Sequence, residues 1–311
     1  MRCPLGSSTL THNSLIHTMS NRPFLLGVIS LVCSLLCFSV LDTTNKYLMS
    51  AVPLLMVMWF RYAAHSTLSA AFLLPKRGRA LFRTNRLKLQ ILRGLLLLMS
   101  SALAFLSLQR MPVAEFAAIG MLTPLLVMVL SHFFLKEHVS LFRNICVVGG
   151  LIGALIIVRP GGNLKGYDAL FPLTMSVSNA LYQVLTSYLS RTEDPMTLHL
   201  FTGWVGFLVC SVLVPWSWDV NLSTSFWLLM CLSGVTGTLG HYLLIVGFSK
   251  APANRLAPYL YLQIVFSWFT GWVVFGYNPQ GLELAGIALI AICGVAAAWR
   301  GAPNPSPSIV H

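Results

Sequence analysis

Apolar residues run along this chain in blocks of roughly 20, set apart by short stretches where charge and proline collect. A helix needs about 20 mostly apolar residues to cross the hydrocarbon core of a bilayer. The blocks are continuous and lack the alternation of a lipid-facing strand, which argues against a β-barrel. The pattern predicts ten spanning helices, over residues 24–47, 52–75, 89–108, 112–135, 141–158, 169–189, 198–216, 226–248, 256–275 and 282–299. Composition agrees: of 311 residues, 56% are hydrophobic and only 9% charged, too little charge to cover a water-soluble surface. The expected fold class is an all-α integral membrane protein.

Charge placement then orients the helices. With ten spans both termini lie on one side, and that side collects fifteen of the twenty Lys and Arg residues, six of them between Lys76 and Lys88. The opposite side holds Lys46, Arg110, Arg159 and Lys165, while Arg61 falls inside a span. Basic residues accumulate on the cytoplasmic side, so both termini are predicted there. The net charge of +12 is mostly this topological signal, with anionic lipid headgroups as its natural partner, and it calls for no nucleic acid.

The chain also repeats itself. QRMPVAE at 109–115 is echoed by SKAPANR at 249–255; at the same offset Pro75 meets Pro215, and with one residue of drift KYL at 46–48 meets SYL at 187–189, Gly153 meets Gly294 and Arg159 meets Arg300. Two halves of five spans are expected, at 23–160 and 161–300, flanked by tails at 1–22 and 301–311. Five is odd, so the second half enters the membrane from the other side, and the repeats are inverted. Two similar halves in opposite orientation can open a central site to each side in turn, which points to a secondary transporter working by alternating access. The rival is a channel or passive facilitator on the same fold, which would show neither saturation nor counterflow.

The R-x-P-x-x-E turn at Arg110 to Glu115, the L-K-E at Leu135 to Glu137, the I-V-R-P-G at Ile157 to Gly161, the ten spans and the 5+5 repeat together resemble the EamA family of the drug/metabolite transporter superfamily. LDTTNKYL at 41–48 and WFRY at 59–62 are similar to the subgroup that contains S-adenosylmethionine uptake carriers. The resemblance implies an inner-membrane carrier of amino acids, cofactors or other small organic metabolites, with neither an enzyme activity nor a cofactor. The second half departs from L-K-E, having Phe275, Gly276 and Tyr277 at that place.

Charges within hydrocarbon cost about 2.5 kcal/mol or more each, so they face a cavity or a partner. Arg61 is separated by fourteen uncharged residues from Lys46 and by fourteen from Lys76. It either offers a bidentate fork to a carboxylate or phosphate or is satisfied permanently by backbone and ion pairing. Asp42 sits one helical turn from Lys46 and either pairs with it, binds a cationic solute, or carries a proton. Its repeat counterpart is Gln183. Asn179, Tyr182 and Gln183 form one stripe at i, i+3, i+4 spacing. With Trp59 of WFRY, Tyr259 and Gln263, these complete the candidate substrate-binding set. Glu115, His241 and Arg255 are the candidates for gating or proton coupling, against interfacial anchoring for Arg255, dipole complementarity for Glu115 and packing for His241.

Other chemistry is not signalled. The seven cysteines are scattered, with no C-x-x-C and no metal-ligand spacing. No P-loop, H-E-x-x-H or G-x-S-x-G occurs. Gly149 and Gly153, and the triplet Gly234, Gly237 and Gly240, suit close helix contact. The polar first eighteen residues lack the apolar core of a signal peptide, with Met19 as an alternative start, and the Pro/Ser-rich end is expected to be disordered. The pattern is compatible with a monomer or a homodimer.

Overall fold

In the computed structural model of the chain, residues 9–110, 116, 119–158, 166–218, 222–276 and 281–299 are described. Among them there is no strand, and ten long helices account for most of the chain: α1 (Thr9–Leu48), α2 (Leu54–Arg77), α3 (Leu87–Arg110), α4 (Thr123–Leu135), α5 (Leu141–Val158), α6 (Leu170–Leu189), α7 (Pro195–Leu213), α8 (Thr224–Lys250), α9 (Leu262–Phe275) and α10 (Gly281–Trp299). Each lies on one predicted block. The span expected at 256–275 begins differently, as a turn of α-helix at Ala253–Leu256 and a 3-10 stretch at Ala257–Tyr261. Pro258 has no N–H to donate and its ring crowds the carbonyl four residues earlier, so a regular helix starts only at Leu262.

Among the described residues, four segments are long and apolar enough to cross a membrane on their own terms: Arg22–Leu48, Leu87–Ser107, Pro195–Ser217 and Thr224–Lys250. Shorter apolar helices cover Thr123–Leu135, Leu141–Ile156 and Leu284–Ala297. α2, α6 and α9 fall outside both groups, α2 and α6 for a reason visible in what they bury: Arg61, His65, Ser66 and Ser69 on α2, and Ser176, Ser178, Gln183, Thr186 and Ser187 on α6. Their polar faces turn inward.

The helix ends follow local rules. Asp194 caps α7 by accepting the Met196 backbone N–H at 3.1 Å, and Pro195 occupies the first turn, where no N–H is needed. Asp194 also holds Arg77 at 3.2 Å. Asp194→Ala is expected to cost about 1 kcal/mol and to lower the thermal midpoint by about 1.5 °C; an unchanged midpoint in detergent would refute the cap's contribution. α4 ends on Lys136 at φ 52°, and α9 ends on Gly276 at φ 68°. These two left-handed caps are 140 residues apart, so the turn recurs where the letters of L-K-E do not.

Packing of the helices repeats under exchange of helix n with helix n+5. α1 packs on α8 as α3 packs on α6, α1 on α9 as α4 on α6, and α2 on α8 as α3 on α7; α2–α7 and α5–α10 are their own counterparts. Directions are read from matched contacts. Along α1 and α8, Gly27 meets Gly247, Ser34 Oγ donates to the Gly240 carbonyl at 2.7 Å, and Ser233 Oγ donates to Asn45 Oδ1 at 2.8 Å, so the two are antiparallel. α1 and α9 are parallel, since Ser39 meets Ser267 at 2.9 Å and Thr43 meets Thr270 at 2.8 Å. Along α2 and α7, Trp59 Nε1 donates to Ser211 Oγ at 2.9 Å while Tyr62 lies on Gly206 and His65 on Gly203, again antiparallel. Gly149 and Gly153 of α5 abut Cys293 and Ile290 of α10, and Gly234, Gly237 and Gly240 of α8 take Ala64, Arg61 and Phe38. The small residues serve as contact points between neighbouring helices.

Candidate functional site

Arg61 is 8% exposed in the middle of α2. Its stem lies along Gly237 of α8, where a Cβ would stand 3.3 Å from Arg61 Cγ. Its guanidinium donates to Ser101 Oγ of α3 at 2.5 Å and to the Tyr62 hydroxyl at 3.1 Å, and its Cζ sits 4.8 Å from the Tyr62 ring centroid. Those partners are neutral oxygens, so they do not offset the guanidinium charge. Asp42 on α1 is close enough for that charge to act on it. The Asp42 side chain remains exposed and accepts a hydrogen bond from Gln263 Nε2 of α9 at 3.0 Å. Gln263 Oε1, by contrast, is buried without a protein partner. Three of the expected residues, Arg61, Asp42 and Gln263, are therefore brought together by α1, α2 and α9.

A second polar layer lies deeper, and the sequence reading missed most of it. Arg93 of α3, counted above among flanking charges, is fully buried. It donates to Thr202 Oγ1 at 2.7 Å, to Thr186 Oγ1 at 3.3 Å and to the Leu198 carbonyl, and its Cζ lies 5.6 Å from the Tyr182 ring centroid. Its two terminal nitrogens are met by neutral oxygens of α3, α6 and α7, with Gln90 Oε1 at 3.5 Å, while its Nε is buried without a protein partner. Beside it His65 Nε2 approaches His199 Nδ1 at 3.2 Å and the His199 carbonyl at 3.1 Å. The His65 ring stacks 5.9 Å from that of His241, and His241 Nδ1 meets the Tyr182 hydroxyl at 3.4 Å. Tyr182 and His241 thus belong to this buried layer. His65 was legible in principle, lying four residues after Arg61 on one helix face. No cluster of three or more groups fit to hold a metal ion occurs among the described residues.

The remaining candidates lie apart. On α6, Gln183 Nε2 donates to Asn179 Oδ1 at 2.8 Å, and Gln183 Oε1 is buried without a protein partner. Trp59 joins an aromatic group with Phe60, Phe207 and Trp218 at the α2–α7 seam. Tyr259 is 4% exposed with an unpartnered hydroxyl, near Cys146 and Arg143. Arg255 places its Cζ 5.8 Å from the Phe24 ring centroid. Glu115 lies outside the described residues.

Comparison with known proteins places this arrangement in a family. The model of the EamA-like transporter family matches twice, over residues 25–159 and 167–299. An S-adenosylmethionine uptake transporter of Rickettsia conorii is 26% identical over 269 residues, spanning 86% of this chain and 91% of the relative. A riboflavin transporter of Brucella anthropi is 26% identical, spanning 78% and 86%. A pseudopaline exporter of Pseudomonas aeruginosa is 27% identical, spanning 87% and 95%. One solved crystal structure shares the fold at a TM-score of 0.76 and 18% identity, over 88% of this chain and 96% of its own. Two consecutive matches that together cover most of the residues leave one assignment: the chain belongs to the EamA-like transporter family, whose members are transporters and not enzymes.

Proposed function

We propose that the chain is a secondary carrier that moves a small organic metabolite across a bacterial-type inner membrane by alternating access. The observation that carries this reading is the exchange of packing partners between helices n and n+5. If all ten helices span, corresponding helices of the two halves point in opposite directions, because five is odd. Odd and even helices are antiparallel wherever contacts fix the direction, as in α1–α8, α2–α7 and α5–α10, and the odd pair α1–α9 is parallel. Two inverted repeats, with limits near 160 and 161, would meet around Arg61, Asp42 and Gln263. The relatives' names, which cover S-adenosylmethionine, riboflavin and pseudopaline, favour a small metabolite.

The chemistry of the site favours a zwitterionic solute. Arg61 offers two parallel donors to a carboxylate, and Asp42 offers an acceptor to an ammonium. An unpartnered buried amide oxygen costs about 1–3 kcal/mol, which a donor on the solute would recover at Gln263 Oε1 and Gln183 Oε1. Asn179, Tyr182, Trp59 and Tyr259 are the further members of the proposed set. Asp42, Glu115 and His241 are the proposed proton-coupling groups, and Arg255 a proposed gating residue; exchange that does not vary with pH would remove coupling.

Proteoliposomes preloaded with S-adenosylmethionine, riboflavin or individual amino acids should show saturable uptake and counterflow for one class. Flux without saturation or counterflow would favour a channel. Both termini are placed in the cytoplasm. In a cysteine-free background, Arg83→Cys should resist an impermeant thiol reagent added to intact cells, and labelling there would reverse the orientation.

A further inference from the structure

We infer that Glu137, resting on the carrier reading above, is a gating latch that holds one end of the molecule shut. Its side chain is 8% exposed although it lies in the connection between α4 and α5. The left-handed turn at Lys136 directs the chain so that this carboxylate faces the second half of the protein. There it forms an ion pair with Arg191, in the connection between α6 and α7, and accepts the backbone N–H of Asn254 at 3.0 Å. That N–H belongs to the first turn of the short helix Ala253–Leu256, where helical donors have no partner of their own. Asn254 is 3% exposed and returns a hydrogen bond from Nδ2 to the His138 carbonyl at 2.8 Å. One carboxylate of the first half thus ties down two separate elements of the second half.

What lies near the latch distinguishes a gate from a plain staple. The hydroxyls of Tyr259 and Tyr261, in the 3-10 stretch that follows Asn254, are buried without protein partners. Cys146, close to Tyr259, is 3% exposed. Behind the Glu137 contacts these two hydroxyls would be met by water or solute once the contacts open. Release of Glu137 frees the entry to α9 and the α6–α7 turn together, and these elements belong to the half that must move against the first.

The test needs no knowledge of the solute. In protein retaining Cys146 as its sole cysteine, purified in detergent, the rate of Cys146 labelling by a maleimide is measured for the parent and for Glu137→Gln, Arg191→Gln and Arg77→Gln. The first two variants should react at least about tenfold faster, equivalent to about 1.4 kcal/mol of lost closure. Arg77→Gln, which breaks the Arg77–Asp194 pair and leaves Glu137 untouched, should match the parent. Equal rates throughout overturn the latch, as does an equal rise in all three, which would mean general loosening. Should Glu137→Gln not fold, Arg191→Gln decides, its side chain being 46% exposed. Counterflow in liposomes reads the carrier proposal separately: intact counterflow with unchanged labelling refutes the latch alone, and faster labelling with no counterflow for any solute refutes the carrier alone.

Discussion

Arg61→Ala is expected to lower exchange of the transported solute by about 100-fold or more, with Arg61→Lys recovering only part of the loss. Two charge-assisted hydrogen bonds to a carboxylate are worth about 1.5–3 kcal/mol each, and about 2.7 kcal/mol is a factor of 100. Lysine restores the charge without the planar fork. Asp42 helps to define the prediction: with Arg61 gone its charge loses a nearby cation, so an anionic solute should suffer more than a cationic one. The discriminating readout is ligand-induced thermal stabilisation of purified protein, with S-adenosylmethionine, riboflavin, organic acids and amino acids as probes. Stabilisation of the parent but not the variant places Arg61 at the solute. Equal stabilisation of both, with a lower starting midpoint for the variant, makes Arg61 a strut between Ser101, Tyr62 and Gly237.

How much of this was legible in the sequence depended on whether the signal was local. The ten helical blocks could be read because a long apolar run is a local signal that does not depend on partners; Phe72, Phe133, Leu208 and Ile292, apolar and exposed, belong to such runs. The onset of α9 was missed because Pro258 acts on a single turn inside a block whose average composition is unaffected. Arg61 stood out as a charge far from either end of its span. Arg93 did not, being only a few residues from the cluster that ends at Lys88, and position along the chain says nothing about the depth of a side chain that turns toward α6 and α7. His199 and Glu137 were hidden for the same reason: their partners, His65 on one side and Arg191 and Asn254 on the other, are far away in the chain.

The repeat carries a further lesson about where two halves diverge. Caps at Lys136 and Gly276 keep their backbone while their side chains differ. Near the site the difference becomes chemical. The residue 141 places after Arg61 is Thr202, which holds the guanidinium of Arg93 instead of supplying one. One half therefore contributes the charged fork and the other a hydroxyl anchor. In the proposed alternating-access cycle, an exchange of halves would change which side the site faces while a solute held by Arg61 kept the same arginine.

Gly206→Ala should be the most damaging small substitution in the molecule. At the α2–α7 crossing a Cβ on Gly206 would stand 2.2 Å from Tyr62 Cδ1 and 2.4 Å from Cε1, and one on Gly203 would stand 2.7 Å from His65 Cδ2. Tyr62 is 1% exposed and His65 2%, so neither ring has free space to enter. The contacts are reciprocal: Tyr62 and His65 on α2 lie 141 places before Gly203 and Gly206 on α7, and each aromatic ring sits on the other's counterpart. The crossing that the two halves share therefore depends on two missing side chains. Membrane helices gain little from excluding water and associate largely through such close packing, and overpacking costs typically 1–3 kcal/mol, with more where nothing can yield. Gly206→Ala is expected to lose about 3 kcal/mol, seen as a fall of roughly 5 °C in the thermal midpoint and a loss of monodisperse protein in detergent. Gly271→Ala, where a Cβ meets nothing within 4 Å, should change neither. The double variant Gly206→Ala with Tyr62→Ala removes the clashing ring and should recover much of the midpoint, while transport stays low because Arg61 loses a hydrogen-bond partner. If the double variant is less stable than Gly206→Ala alone, the ring and the glycine are not a complementary pair, and the crossing is held by other contacts.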